Sequence, residues 1–109
     1  MKYLIIGDVH AEFIPFKRAI DFAQKNDLHL ISVGDIVDGK EDGARCVSEI
    51  NKLLDSGKAS IVKGNHEHKI IRALNGADVI LGPPNVKTLD EMKDNPEFEA
   101  DFRHMVDTH

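Results

Sequence analysis

Three short apolar runs in this chain each end in glycine followed by aspartate or asparagine, at residues 4–8, 30–35 and 61–65. They recur roughly every 30 residues, which is the length of one strand-helix-strand unit. Repeated units of this kind predict an α/β fold with parallel strands and right-handed crossovers. Because the carboxyl ends of parallel strands meet at one edge of a sheet, we expect the three polar residues to lie close together there.

The residues between these runs carry apolar side chains at helical spacing. The pattern therefore predicts a parallel β-α-β-α-β sheet with flanking helices. The predicted strands cover residues 2–7, 28–33 and 59–63, the first of them fully buried, and the predicted helices cover residues 13–25, 44–56 and 67–75.

The last third of the chain has a different pattern. Thr88 and Glu91 have the spacing of a capping box, which predicts a short helix that starts at Thr88. A last helix is predicted over residues 97–106, with three apolar side chains on one side: Phe98, Phe102 and Met105.

We interpret residues 1–109 as a single, partial domain. It has a motif-bearing core over residues 1–76 and a linker and helical segment over residues 77–109. A domain of this class usually needs more than three strands to cover its core, and the sequence ends without a further predicted strand. We therefore expect a truncated domain.

The composition excludes several classes of protein. Of the 109 residues 41% are apolar, and the net charge is -5. Such a surface would not hold bulk nucleic acid unaided, because phosphate binding needs clustered lysine and arginine. The single Cys46 excludes an internal disulfide, and the first apolar run is too short for a signal peptide or a membrane span. We therefore expect a cytoplasmic protein without a membrane partner.

Side chains that can bind a metal follow each apolar run, namely Asp8, His10, Asp35, Asp38, Asn65 and His66. Residues two apart in an extended segment point the same way, so Asp8 and His10 can reach one cation. Taken singly, each motif also fits a plain turn, and Asn65 also fits a helix N-cap. Taken together at one sheet edge, the six residues predict a hydrolytic metal site.

The three motifs, in this order, resemble those of the calcineurin-like metallophosphoesterases. The chain has Asp-x-His at residues 8–10, Gly-Asp-x-x-Asp at 34–38 and Gly-Asn-His-Glu at 64–67. The resemblance covers residues 1–76 and is closest to the phosphoprotein-phosphatase branch, in its bacterial and phage forms. It implies that the chain forms the N-terminal half of a metallophosphoesterase sandwich.

The resemblance implies two divalent metal ions in the complete family site, with manganese expected and iron or zinc as alternatives. Asp8, His10 and Asp35 would hold the first ion, and Asp35 would bridge to a second that Asn65 also binds. In the family the second ion takes two more histidines from later strands, and this sequence lacks the segment that carries the first of them. Our hypothesis is that the chain alone binds one metal weakly and has little turnover.

The resemblance also implies how the reaction proceeds. His66, paired with Asp38, would protonate the leaving alcohol while a metal-activated hydroxide attacks phosphorus in line. The implied activity is hydrolysis of phosphomonoesters, with phosphoserine or phosphothreonine in proteins as the leading substrate. A nucleotide or dinucleoside-polyphosphate hydrolase on the same scaffold is an alternative, and a truncated, non-catalytic binding module is another.

The sequence departs from the family pattern at two places. Where the phosphoprotein-phosphatase branch commonly has Asp-Arg-Gly, this chain has Asp38, Gly39 and Lys40. Lysine supplies a point charge but not the bidentate fork of arginine, which leaves the substrate class open. The two last histidines, His104 and His109, follow no predicted strand, so we expect them at the surface and not at a metal.

Overall fold

A computed structural model describes residues 2–7, 9–38 and 42–108 of the chain. The elements in this part of the chain are β1 (Tyr3–Gly7), α1 (Phe13–Lys25), β2 (His29–Val33), α2 (Gly43–Asp55), β3 (Ala59–Val62), α3 (Asn65–Leu74), α4 (Pro83–Asp94) and α5 (Pro96–Thr108). The predicted α/β class is confirmed. The bounds of α1 agree with the prediction, and those of β2, α2 and β3 differ from it by one residue.

The strands form one parallel sheet in the order β1-β2-β3. Gly7 pairs with Val33, and Val33 pairs with Val62, so the three strands end level with one another. This register brings the residues that follow the strands to one edge of the sheet, as the spacing of the apolar runs predicts.

The hydrophobic core lies between one face of the sheet and the helices. Leu30 of the central strand is fully buried, with Leu4 and Ile61 of the outer strands packed against the same cluster. Helix α5 packs on α2 and buries the predicted stripe of Phe98, Phe102 and Met105. None of the helices in the described ranges is both long and apolar enough to cross a bilayer.

The prediction that β1 is fully buried is wrong. Tyr3 is 55% exposed and Ile5 is 65% exposed, and Val62 of β3 is 60% exposed. Successive side chains of a strand point to opposite faces, and only one face of this sheet is covered by the helices of the described part. The apolar run in the sequence therefore identified the strand, but it did not show whether one or both faces of the sheet are buried.

The prediction that a helix starts at Thr88 is also wrong, because α4 already begins at Pro83. Proline suits the first helical position, since its ring sets a helical φ and the missing N–H would have no partner there. The Oδ1 of Asn85 accepts the N–H of Gly82 at 2.9 Å and so caps the helix. Thr88 lies in the second turn, where its Oγ1 is 3.1 Å from the carbonyl oxygen of Pro84.

Candidate active site

The loop after β2 has an unusual backbone. Gly34, Asp35 and Asp38 have φ angles of 83°, 51° and 66°, in the left-handed region. Non-glycine residues adopt such angles at a free-energy cost, so surrounding contacts must hold them. One such contact is the N–H of His10, which donates to the carbonyl oxygen of Asp35 at 2.8 Å. The loops after β1 and β2 are therefore joined at this edge of the sheet.

Glu67 is the second support of this loop. Its side chain is fully buried, and its two oxygens accept four backbone N–H groups. Oε1 accepts from Asp35 at 2.7 Å and from Gly64 at 3.0 Å, and Oε2 accepts from Ile36 at 3.0 Å and from Val37 at 3.3 Å. Burial raises the pKa of the Glu67 carboxyl, and the backbone donors act against that rise. One carboxylate thus links the loop after β2 to the start of α3.

The start of α3 approaches Asp35 closely. Gly64 is the N-cap of this helix, so the interpretation of Asn65 as N-cap is wrong, and Asn65 is instead the exposed first helical residue. A Cβ on Gly64 would lie 2.3 Å from the Asp35 Oδ1 and 2.7 Å from the Asp35 nitrogen. Only glycine fits between the loop and the helix. The N–H of His66 then donates to the Asp35 Oδ1 at 3.3 Å.

We expect Gly64→Ala to lower the free energy of unfolding by about 1–3 kcal/mol, since the added methyl group forces the loop after β2 away from α3. Gly82→Ala is the matched control. Gly82 is also an extended N-cap residue, and its nearest neighbours would be 3.8 Å from an added Cβ. The Gly82→Ala variant should lose less than about 1 kcal/mol of unfolding free energy. Urea denaturation of both variants measures the difference, and equal losses would contradict the predicted clash.

His66 and Asp38 form a hydrogen-bonded pair at the same edge. Nδ1 of His66 lies 2.8 Å from Oδ2 of Asp38. Because a carboxylate oxygen accepts, the ring nitrogen in this contact carries the proton. The His66 side chain is 35% exposed, whereas that of Asp38 is fully buried. The imidazole therefore has one nitrogen turned to a buried carboxylate, while about a third of the side chain is exposed to solvent.

The structure also places His10 beside this pair. The rings of His10 and His66 meet edge to face, with centroids 5.3 Å apart. His10, Asp35 and His66 thus converge from the ends of three strands, as predicted. Asp8, Gly39, Lys40 and His109 lie outside the described residues. Within the described residues no three His, Cys, Asp or Glu side chains form a cluster that could hold a metal ion.

His104 is placed far from this edge in the fold. It is exposed on α5, and its Nε2 lies 2.8 Å from Oδ1 of Asp55 at the end of α2. This position agrees with the expectation of a surface histidine.

A comparison with known families identifies the chain. The model of the calcineurin-like phosphoesterase family matches residues 1–105. The chain belongs to this family. Its members are metal-dependent phosphoester hydrolases, which agrees with the class of site that the three motifs predict. The match extends past residue 76, so it also includes α4 and most of α5.

The chain is also similar to a protein of Anoxybacillus flavithermus named as an asymmetrical bis(5'-nucleosyl)-tetraphosphatase, PrpE. The two are 30% identical over 89 residues, which cover 72% of this chain and 36% of the relative. The chain thus spans about a third of the length of this relative.

The donor atoms at this edge fit the divalent ion that the calcineurin-like phosphoesterase family requires. The Asp35 carboxylate, the His10 imidazole and the Asn65 amide are oxygen and nitrogen donors of the type that manganese, iron and zinc accept. Because Gly64 has no Cβ, the Asp35 carboxylate can lie beside the start of α3 without a clash. The residues are thus chemically suited to an ion at the end of β2.

Two residues of the site come from α4, of which only the part from Thr88 onward was predicted as helix. Asn85 and Thr88 of α4 are 3% and 5% exposed, and both donate to the Asp38 carboxylate. The sequence signal near them is a helix start, given by Gly82 with the two prolines after it and by the capping-box spacing of Thr88 and Glu91. It does not indicate that this helix packs over Asp38, some 50 residues earlier in the chain.

Proposed function

We propose that the chain hydrolyses phosphoesters with a divalent metal ion and with His66 as the general acid. The His66–Asp38 pair beside Asp35 carries this proposal, because the His66 ring lies next to side chains that would bind the metal. Asp8, His10, Asp35 and Asn65 are the residues that would hold the metal. A bound divalent ion activates water and stabilises negative charge on the phosphoryl oxygens.

The orientation of the His66 ring supports Nε2 as the proton-transfer atom. Nδ1 faces the buried Asp38, so Nε2 is the nitrogen that can give a proton to the leaving oxygen. For this step the ring carries a proton on both nitrogens, and Asp38 accepts the Nδ1–H and keeps the ring in this orientation. The half-exposed ring can reach a substrate that approaches the edge of the sheet from solvent.

For the substrate, we propose a dinucleoside polyphosphate. The similarity to the Anoxybacillus flavithermus tetraphosphatase supports this choice, and so does the replacement of the Asp-Arg-Gly of phosphoprotein phosphatases by residues 38–40 of this chain. Phosphoserine and phosphothreonine in proteins are the second candidate, supported by the order and spacing of the three motifs.

A substrate panel tests this choice. We expect kcat/KM with Mn²⁺ to be at least about tenfold higher for diadenosine tetraphosphate than for a phosphoserine peptide, which is about 1.4 kcal/mol of transition-state binding. Rates should be low, since only one metal position has all its expected donors in this sequence. A preference for the phosphopeptide would favour the second candidate.

The panel includes a pair of variants that separates an enzyme from a binding module. Asp35→Asn should abolish hydrolysis of every substrate. Asp27→Asn is the matched control, because Asp27 is exposed in the turn before β2, at the opposite edge of the sheet. Absence of Mn²⁺-dependent hydrolysis by the unmodified chain would contradict the proposed function.

A further inference from the structure

Helix α4 directs two buried donors at one carboxylate. Asn85 and Thr88 are three residues apart and so lie on the same face of the helix. The Asn85 Nδ2 donates to Oδ2 of Asp38, and the Thr88 Oγ1 donates to Oδ1 of the same group. The His66 Nδ1 is the third donor, at Oδ2. Both oxygens of Asp38 are therefore held by side chains from α3 and α4.

The orientation of each donor is determined by a second contact. The Oδ1 of Asn85 accepts the N–H of Gly82 at 2.9 Å, so its amide nitrogen must face Asp38. The Thr88 Oγ1 is also 3.1 Å from the carbonyl oxygen of Pro84. Since a charged acceptor makes the stronger hydrogen bond, the single hydroxyl proton belongs to the contact with Asp38.

Asp38 needs these donors because of where it lies. Its side chain is fully buried and its φ angle is 66°. A carboxylate removed from water is costly unless hydrogen bonds replace its hydration. Two neutral donors satisfy Asp38 and also restrict its rotation about the Cα–Cβ and Cβ–Cγ bonds. The direction of the Oδ2 lone pairs, to which the His66 ring bonds, then depends on α4.

We propose that Asn85 and Thr88 are positioning residues, which hold the Asp38 carboxylate in the orientation that sets the His66 ring. The catalytic consequence of this inference rests on the proposed function, but the positioning itself can be measured without turnover. Residues that orient a metal ligand or a catalytic group by hydrogen bonding to it commonly change metal affinity or activity about 10- to 100-fold when they are replaced. We expect a loss of activity of about that size here.

The experiment compares four variants in the metal-free chain and in the assay with Mn²⁺. Thr88→Val removes the hydroxyl at nearly constant shape, and Thr88→Ser retains it. Asn85→Asp keeps the oxygen that caps Gly82 but replaces the donor by a second carboxylate oxygen. Asn51→Asp is the matched control, since Asn51 is a buried asparagine that donates to the Asp101 carbonyl oxygen at 2.8 Å, between α2 and α5.

The first readout is the downfield proton resonance of the hydrogen-bonded His66 Nδ1–H, observed by NMR. We expect Thr88→Val and Asn85→Asp to shift or broaden it, while Thr88→Ser and Asn51→Asp retain it. The second readout is kcat per folded molecule, with the folded fraction taken from circular dichroism. Thr88→Val and Asn85→Asp should lower kcat about 10- to 100-fold and change KM by less than about threefold.

The outcomes separate this inference from the proposed function. An unchanged resonance in both Thr88→Val and Asn85→Asp would overturn the positioning role, as would an equal shift in Asn51→Asp or the absence of the resonance in the unmodified chain. A resonance that moves as expected in a chain without any hydrolysis would support the positioning and contradict the proposed function.

Discussion

Replacing His66 by glutamine is expected to lower kcat by about 100- to 10,000-fold, the usual contribution of a general acid. A glutamine amide can still donate to Asp38, but it cannot transfer a proton to a leaving oxygen. The loss should be larger for an alkyl phosphate than for 4-nitrophenyl phosphate, because nitrophenolate leaves with little need of protonation. Steady-state rates on both substrates with Mn²⁺ measure this difference.

His68→Gln is the matched control for this variant. His68 lies two residues further along α3, and its side chain is exposed. We expect rates within about twofold of the unmodified chain, because surface substitutions away from a site change free energies by only about 0.5 kcal/mol. Equal losses in the two variants would contradict the assignment of His66 as proton donor, as would a loss that is the same for both leaving groups.

Replacing Glu67 by alanine is expected to lower the free energy of unfolding by about 3–5 kcal/mol. The change removes a buried carboxylate that accepts four backbone N–H groups, and it leaves these donors without an acceptor. A small domain has only about 5–15 kcal/mol of stability in all, so this loss would be a large fraction of the total. Urea denaturation followed by circular dichroism measures the loss.

Glu67→Gln and Glu97→Ala complete this test. The amide of glutamine keeps one accepting oxygen, so Glu67→Gln should lose less unfolding free energy than Glu67→Ala. It should therefore remain folded and measurable. Glu97 is exposed in the first turn of α5, so the same substitution there removes no buried acceptor. Its loss should stay within about 1 kcal/mol. A Glu67→Ala variant as stable as Glu97→Ala would contradict the role of Glu67 as the link between the loop after β2 and the start of α3.

The elements of the fold follow largely from local pattern. The apolar stripe of α1 predicted its bounds, Phe13–Lys25, and the stripe of α5 predicted its buried side chains. Such periodicities report which residues share a face, and they need no knowledge of the rest of the chain. They do not report what lies opposite that face. Ile5 reads as a core residue in sequence, and it is 65% exposed because no helix of the described part covers its side of the sheet.

The candidate site was predicted where its residues follow strands directly. His10, Asp35 and His66 meet at one edge because parallel strands of equal register end together. Their supports were not predicted. Glu67 was recognised only as the last residue of the third motif, and Thr88 was interpreted as a helix start. The hydrogen bonds of these two side chains join residues that are about 30 and 50 positions apart in the sequence, and no local sequence pattern predicts contacts over such separations.

The sequence by itself determined the order of strands and helices, the family, and the edge at which the polar residues meet. The family follows from the three motifs and from the match of the family model to residues 1–105. The order of elements and the common edge depend on hydrophobic periodicity and on glycines that allow sharp turns, both of which are local properties. Only the tertiary structure decided which face of the sheet is covered, which glycine is required by a close approach, and which side chains hold Asp38. The covered face depends on the helices that pack on the sheet, with α1 against β2 and α2 against β3. The other two depend on the packing of α3 and α4 against the loop after β2, because a buried carboxylate must find its donors wherever the fold brings them.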